Sequence, residues 1–230
     1  MHRSPMRRLA AAAGVVAAGA LAACGGPRSA VESTPPTPVR VLGDSAAIAN
    51  AKPDATRFPY TEADVHFISG MIGHHSQAII MALLAATHGA SQSIQTLAGR
   101  VINAQQDEIA LMQQWLKDRG QRVPEPSRTG VKMTMGGMTH EMSMPGMLTE
   151  AQLQELDKAR GREFDELFLR YMIQHHQGAV TMVKELFSNR GAGLDETVFK
   201  LASDVNVDQT TEIERMQKML YALTVEGRTP

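Results

Sequence analysis

One segment of this chain occurs twice. Asp64-x-x-Phe67-x-x-x-Met71-Ile72-x-His74-His75-x-x-Ala78-x-x-Met81 returns as Asp165-x-x-Phe168-x-x-x-Met172-Ile173-x-His175-His176-x-x-Ala179-x-x-Met182, at a constant offset of 101. A second block, Gln105-x-x-Glu108-Ile109-x-x-Met112, returns as Gln209-x-x-Glu212-Ile213-x-x-Met216 at an offset of 104. Whatever the first copy folds into, the second must fold into as well, and duplication of one unit is the simplest account.

That unit reads as a helical hairpin. Thr61 stands three residues before Asp64, the spacing of a capping box, and the helical pattern continues to about His88, where Gly89 can take the left-handed conformation that ends many helices. A second helix is expected from Ser91 or Ser93 to Arg119, followed by Gly120. Two long helices with a short connection make an antiparallel pair. In the second half, Thr149 and Gln152 form another capping box at the start of a short helix reaching about Arg160. Gly161 breaks it, a long helix runs to Asn189, and Gly191 and Gly193 mark its end. The last helix starts with Asp195 as N-cap, with Leu194 and Phe199 at the spacing of a hydrophobic staple. The folded part is expected to be all-α.

At about 100° per residue, Asp64, Phe67, Ile68, Met71, His74, His75 and Ala78 share one helix face. Gln105, Glu108, Ile109, Met112, Trp115 and Leu116 share a face of the partner helix, and Met172, His175, His176, Glu212 and Met216 repeat the arrangement. These faces are mostly apolar and should point inward, which puts a Glu and two His of each copy where they need partners. An unpaired buried carboxylate costs several kcal/mol, so His and Met of the facing helix, with or without a metal, are the nearest candidates to compensate Glu108 and Glu212. Neighbouring histidines point about 100° apart and rarely share one ion. One His of each pair could ligate while the other contacts Glu or Asp, or each could face a different helix. Plain core packing of His and Met remains the competing account.

Between the two copies, residues 121 to 148 show no helical pattern and contain Pro124, Pro126 and Pro145. Six of the chain's 15 methionines fall here: Met133, Met135, Met138, Met142, Met144 and Met147, with His140 among them. The segment is expected to be a long crossover loop. Met-x-Met and Met-x-x-Met spacings suit a soft monovalent ion, since thioethers select copper(I) and silver(I) while imidazole adds affinity for copper(II). A thioether needs no deprotonation and survives where a thiol would be oxidised. A Met-rich lid over the end of the helices is compatible with that role.

The amino terminus explains the only cysteine. A basic start with Arg3, Arg7 and Arg8 leads into an Ala-rich apolar stretch ending at Leu21-Ala22-Ala23-Cys24-Gly25-Gly26. The stretch is too short to span a bilayer and reads as a signal peptide over residues 1 to 23. Its end resembles a bacterial lipoprotein box, which implies cleavage before Cys24 and acylation of that residue. Residues 24 to 57, rich in Pro, Ser, Thr, Ala and Gly, are expected to be a flexible tether. With Cys24 so assigned, no disulfide, Cys-rich zinc cluster or iron-sulfur centre is available, and metal chemistry falls to His, Met and carboxylates. A near-neutral chain of 23 basic and 24 acidic residues, more acidic once the leader is removed, offers no surface for nucleic acid.

The Met-Ile-x-His-His helix followed by Gln-x-x-Glu-Ile-x-x-Met resembles the signature of the bacterial domain-of-unknown-function family 305. The resemblance covers about residues 58 to 222: repeat one over 58 to 120, the Met-rich loop over 121 to 148, and repeat two over 149 to 222. It implies a ferritin-like four-helix bundle and, for some members, periplasmic copper binding. The leading expectation is thus an exported, membrane-anchored lipoprotein that binds copper, with silver or zinc as the other ions of suitable chemistry, and no catalytic residues. A metal-free adaptor with an envelope protein partner or a second copy is the first alternative. A ferritin-like redox enzyme is the second, although the Glu-x-x-His pairs of a di-iron site are missing, because Asp64 and Asp165 lie ten residues before His74 and His175.

Overall fold

Thr61 opens the first helix as its spacing predicts. Its hydroxyl accepts from the Asp64 amide, and the Asp64 carboxylate accepts from the Thr61 amide at 2.6 Å. The computed structural model describes residues 59–135 and 138–226. The expected signal peptide, Cys24 and the expected tether lie outside these residues, as do the side chains of Met133, Met135, Met138 and His140.

Five helices follow in order: α1 (Glu62–Leu84), α2 (Gln92–Asp118), α3 (Glu150–Lys158), α4 (Gly161–Ser188) and α5 (Glu196–Glu226). Helix α1 stops short of His88 in a set of turns, where the Thr87 and His88 amides both donate to Leu84 O at 3.0 Å and Gly89 takes a φ of +69°. Thr149 and Gln152 make the expected box on α3. Asp195 caps α5, accepting from the Thr197 and Val198 amides at 3.1 and 3.2 Å. Leu194 and Phe199, however, both stay more than half exposed, and Phe199 meets Phe187 edge-on in place of a buried staple.

The all-α expectation fails between the repeats. Residues 121 to 148 are not an irregular loop throughout, because they hold a small antiparallel sheet of β1 (Glu125–Pro126), β2 (Val131–Met135) and β3 (Met138–Met142), in the order β1-β2-β3. Met133 pairs with His140 and Met135 with Met138. The alternation of Val131, Met133 and Met135 with Lys132 and Thr134, followed by Gly136-Gly137, is a hairpin pattern. Methionine is a poor advertiser of strands, so the period was hidden.

Two apolar clusters form the core. The first joins Phe67 to Ile72 of α1, Met112 to Leu116 of α2, Met182 to Leu186 of α4 and Val198 to Val205 of α5. The second joins Ala78 to Ala85 of α1, Ile94 to Val101 of α2, Phe164 to Met172 of α4, Met216 of α5, and Leu153 and Leu156 of α3. The start of α1 thus lies with the end of α4, and the converse holds in the other cluster, so these helices run antiparallel, as do the partners within each hairpin. Although α1 is long and apolar enough to cross a bilayer, most of it is buried in these clusters. Between the clusters the same helices carry a layer of buried polar side chains: His74, His75, Gln77, Gln105, His175, His176 and Gln209.

Candidate functional site

The polar layer is where the two copies of the repeated helix meet. His74 of α1 and His175 of α4 face each other with ring centroids 3.8 Å apart and planes tilted by 37°. His75 and His176 turn outward from this pair, each towards the second helix of its own hairpin. His75 Nε2 donates to Glu108 Oε2 at 2.7 Å, and His176 Nε2 donates to Glu212 Oε2 at 2.7 Å. The partner that Glu108 and Glu212 required is therefore an imidazole of the same repeat, and the near two-fold symmetry of the sequence reappears as geometry.

A carboxylate can only accept, so the proton in each pair sits on Nε2 and fixes the ring. That leaves Nδ1 of both His75 and His176 buried and unpartnered among the described residues. His74 Nε2 donates to the Pro145 carbonyl at 3.1 Å, again leaving Nδ1 unpartnered, and His175 has a partner at neither ring nitrogen. Burial, then the nearby charge of His75, lowers the His74 pKa to about 3. Burial, then His74, holds His175 well below the ordinary imidazole value. Both rings are neutral near pH 7 and carry lone pairs. The Oε1 atoms of Gln105 and Gln209, a turn before each Glu, are also buried without partners. Each such atom costs about 1–3 kcal/mol, a penalty that a well-packed apolar core would avoid.

This donor set suits a transition metal. Neutral imidazoles bind copper and zinc ions, and a ligating His commonly gives its other N–H to a carboxylate or a backbone carbonyl, as His75, His176 and His74 do here. Glu108 and Glu212 orient imidazoles in this arrangement. Among the described residues, no three His, Cys, Asp or Glu side chains converge as a ready-made metal cluster. Any ion held by this layer needs a thioether, a carbonyl or a side-chain movement to complete its shell.

The other candidate residues divide by location. Met71 and Met112 are fully buried in the first apolar cluster, and Met172 and Met216 in the second. Met144 and Met147 belong to the first cluster, with Met142 packed against it.

Several residues of the site carry no signal in the repeat itself. Gln77 is buried, donates to the carbonyls of Arg128 and Leu148 at 2.6 and 3.0 Å, and accepts from the Leu148 amide at 2.7 Å. It pins both the β1–β2 connection, at Arg128, and the strap after the sheet, at Leu148, to α1. A Cβ on Gly178 would lie 1.9 Å from the Pro145 carbonyl, and one on Gly73 would lie 2.0 Å from Val131 Cγ1, so α4 needs glycine where this strap crosses and α1 needs it under the start of β2. The available clue was asymmetry: Gln77 and Gly178 occupy equivalent places in the two copies, as do Gly73 and Gln174. Asp64 and Asp165, repeated like the histidines, sit far along the helices from them. Asp64 Oδ1 accepts from the Gly193 amide at 2.7 Å, and Asp165 accepts from the Ser91 amide at 3.1 Å. Each copy clamps the hairpin turn of the other.

Comparison with known proteins gives a consistent set. The chain is similar to a structure described as a candidate secreted DUF305 protein from Streptomyces coelicolor, at 26% identity over 70% of this chain and 94% of that one, with a TM-score of 0.59. It is similar to a DUF305 fragment from Deinococcus radiodurans at 29% identity over 70% and 97% of the two chains, with a TM-score of 0.58. It also resembles CopM in its Cu(II)-bound form, at 29% identity over 69% and 95%, with a TM-score of 0.52. CopM structures with Cu(I) and with silver match as well. No curated protein sequence matches the chain. The family model described as "Domain of unknown function (DUF305)" matches residues 64–220, and on that span, which holds both copies of the His-His helix, the chain belongs to the DUF305 family.

Proposed function

We propose that this protein is an exported, membrane-anchored lipoprotein that binds copper for buffering, delivery or resistance, through its His layer and its Met-rich connection, and that it catalyses no reaction. The observation that carries this reading is His175, buried with both ring nitrogens unpartnered against the open Nδ1 of His74. Five unpartnered imidazole nitrogens in one layer are expensive in a protein that never binds anything there. The similarity to CopM, crystallised with copper and silver, supports the choice of ion. The pairing of α1 with α2 and α4 with α5 supports a ferritin-like four-helix bundle as its frame. The basic, apolar amino-terminal stretch ending at Leu21-Ala22-Ala23-Cys24 supports export and acylation of Cys24, and outside the cytoplasm a thioether ligand, unlike a thiol, needs no deprotonation to bind.

Anaerobic titration of the purified protein with copper(I) against a chromogenic chelator tests the reading. Binding tighter than micromolar is expected, weakened at least about tenfold by His74→Ala and by His175→Ala. Micromolar or weaker binding that neither substitution changes would overturn it.

One observation favours a second reading. The His75–Glu108 and His176–Glu212 bonds close without any ion, as they would in a metal-free envelope adaptor. A melting temperature indifferent to excess copper and zinc would select that account, because a ligand of the native state must stabilise it.

A further inference from the structure

The first apolar cluster contains five methionines, and they are not equivalent. Met71 and Met112 are 0% exposed, whereas Met144, Met147 and Met182 keep 6%, 7% and 5% of their surface in solvent. Those three sit at the mouth of the cluster. Met144 and Met147 flank a turn in which the Met147 amide donates to the Met144 carbonyl at 3.2 Å, with Pro145 leading and Gly146 at a φ of +76°. This is a type II turn, and it brings the two thioethers down on the same cluster. Met182 approaches from α4. The meeting point is marked by Gly70 on α1: a Cβ built there would lie 2.7 Å from Met144 Sδ and 3.2 Å from Met182 Cε. A helix interior disfavours glycine, by about 1 kcal/mol relative to alanine, and here glycine leaves room for a sulfur atom.

We propose that Met144, Met147 and Met182 form a thioether site for a soft monovalent cation, copper(I) or silver(I), at the solvent-facing edge of the first cluster. This deepens the copper-binding reading and rests on it. Three neutral sulfurs suit a soft, singly charged ion and discriminate against zinc and calcium, doubly charged ions that prefer harder or anionic donors. All three keep a trace of solvent exposure, which Met71 and Met112 do not. The same turn also carries the Pro145 carbonyl that accepts from His74. The thioether site is thereby coupled through one peptide to the buried imidazoles, one helical turn beyond Gly70 on α1. A soft ion is captured at the turn first, and the His layer lies behind it.

The repeat supplies the control. Met81 is the counterpart of Met182 in the other copy, and it is fully buried in the second cluster. Silver(I) alone is titrated into the full chain in detergent, against a competing thioether ligand, for the wild type and for Met144→Leu, Met147→Leu, Met182→Leu and Met81→Leu. X-ray absorption at the silver edge reports the sulfur ligands. Leucine conserves volume at each site, and circular dichroism confirms the helices. At least a tenfold loss of affinity is expected for Met144→Leu, Met147→Leu and Met182→Leu, with fewer sulfur neighbours, and less than a twofold change for Met81→Leu. If the wild type binds silver through sulfur but the turn and α4 variants match it, this site is wrong and the broader reading stands. If the wild type binds neither silver nor copper(I), both fall.

Discussion

His74 and His175, equivalent residues of two copies of one helix, stack across the α1–α4 crossing at 3.8 Å between ring centroids, and only His74 has a hydrogen-bond partner. The duplication puts like against like at the centre, and the strap that carries Pro145 makes the two unlike.

Replacing His175 with leucine should stabilise the metal-free protein. Two unpartnered buried nitrogens disappear into a side chain of similar volume, so unfolding in urea should require about 1–3 kcal/mol more than for the wild type. Copper should raise the melting temperature of the wild type and fail to raise that of the variant. A variant destabilised in the absence of metal would show that His175 is a satisfied core residue.

The carboxylates should act through their imidazoles. Glu108→Gln and Glu212→Gln keep the side-chain length but weaken the hold on His75 and His176, and each should lower copper affinity about 10–100-fold. Competition titration reads this directly, and equal losses at the two positions are expected from the repeat. Unchanged affinity in both would separate the outer histidines from metal binding.

The aspartates should matter for stability alone. Asp64→Ala removes the acceptor of the buried Gly193 amide as well as the capping box at Thr61, and should cost about 1–3 kcal/mol in urea denaturation. Asp165→Ala loses longer bonds to Ser91 and should cost less. Copper affinity measured on the folded variants should match the wild type, and a tenfold loss would contradict the assignment of both to the turns.

Acid should loosen the metal-free protein before most carboxylates protonate. Buried His74 has its pKa lowered to about 3, and His175 is lowered too, while the unfolded chain takes up these protons near pH 6.5. Across that interval the unfolded state binds more protons, so the stability contribution is full above pH 6.5 and is lost as pH falls towards the folded value. His75, His176, Glu108 and Glu212 face the same layer. The melting temperature should drop between about pH 6.5 and 4, with a shallower slope in His175→Leu. A flat profile there would mean that the imidazoles are already charged or are solvated.

Glycine 178 should be intolerant of any side chain. An added methyl meets the Pro145 carbonyl at 1.9 Å, so Gly178→Ala must push the strap off α4 or bend the helix. A loss of about 1–3 kcal/mol is expected, together with faster amide exchange at Met147 and Leu148. Gly99→Ala, where nothing lies within 4 Å, is the neutral comparison.

Much of this was legible in the residues. The 101-residue offset announced two equivalent hairpins, the Thr61 and Thr149 boxes marked helix starts, and the apolar faces placed His and Glu inside the core, because periodicity and capping are local properties that a sequence carries in full. The pairing of each Glu with one His of its own hairpin was among the open alternatives, and the structure selected it. Other features depend on contacts between segments that are not neighbours in the chain. That the Met-rich connection folds back as a sheet and strap, that Gln77, Gly73 and Gly178 receive it, that Asp64 and Asp165 clamp each other's turns, and that Met182 reaches the mouth of the core while Met81 does not, are outcomes of antiparallel docking. A perfect repeat specifies the same side chain twice and leaves both copies chemically identical. Tertiary structure made them different, because only one strap crosses the layer, and the partner it offers to His74 is the one that His175 goes without.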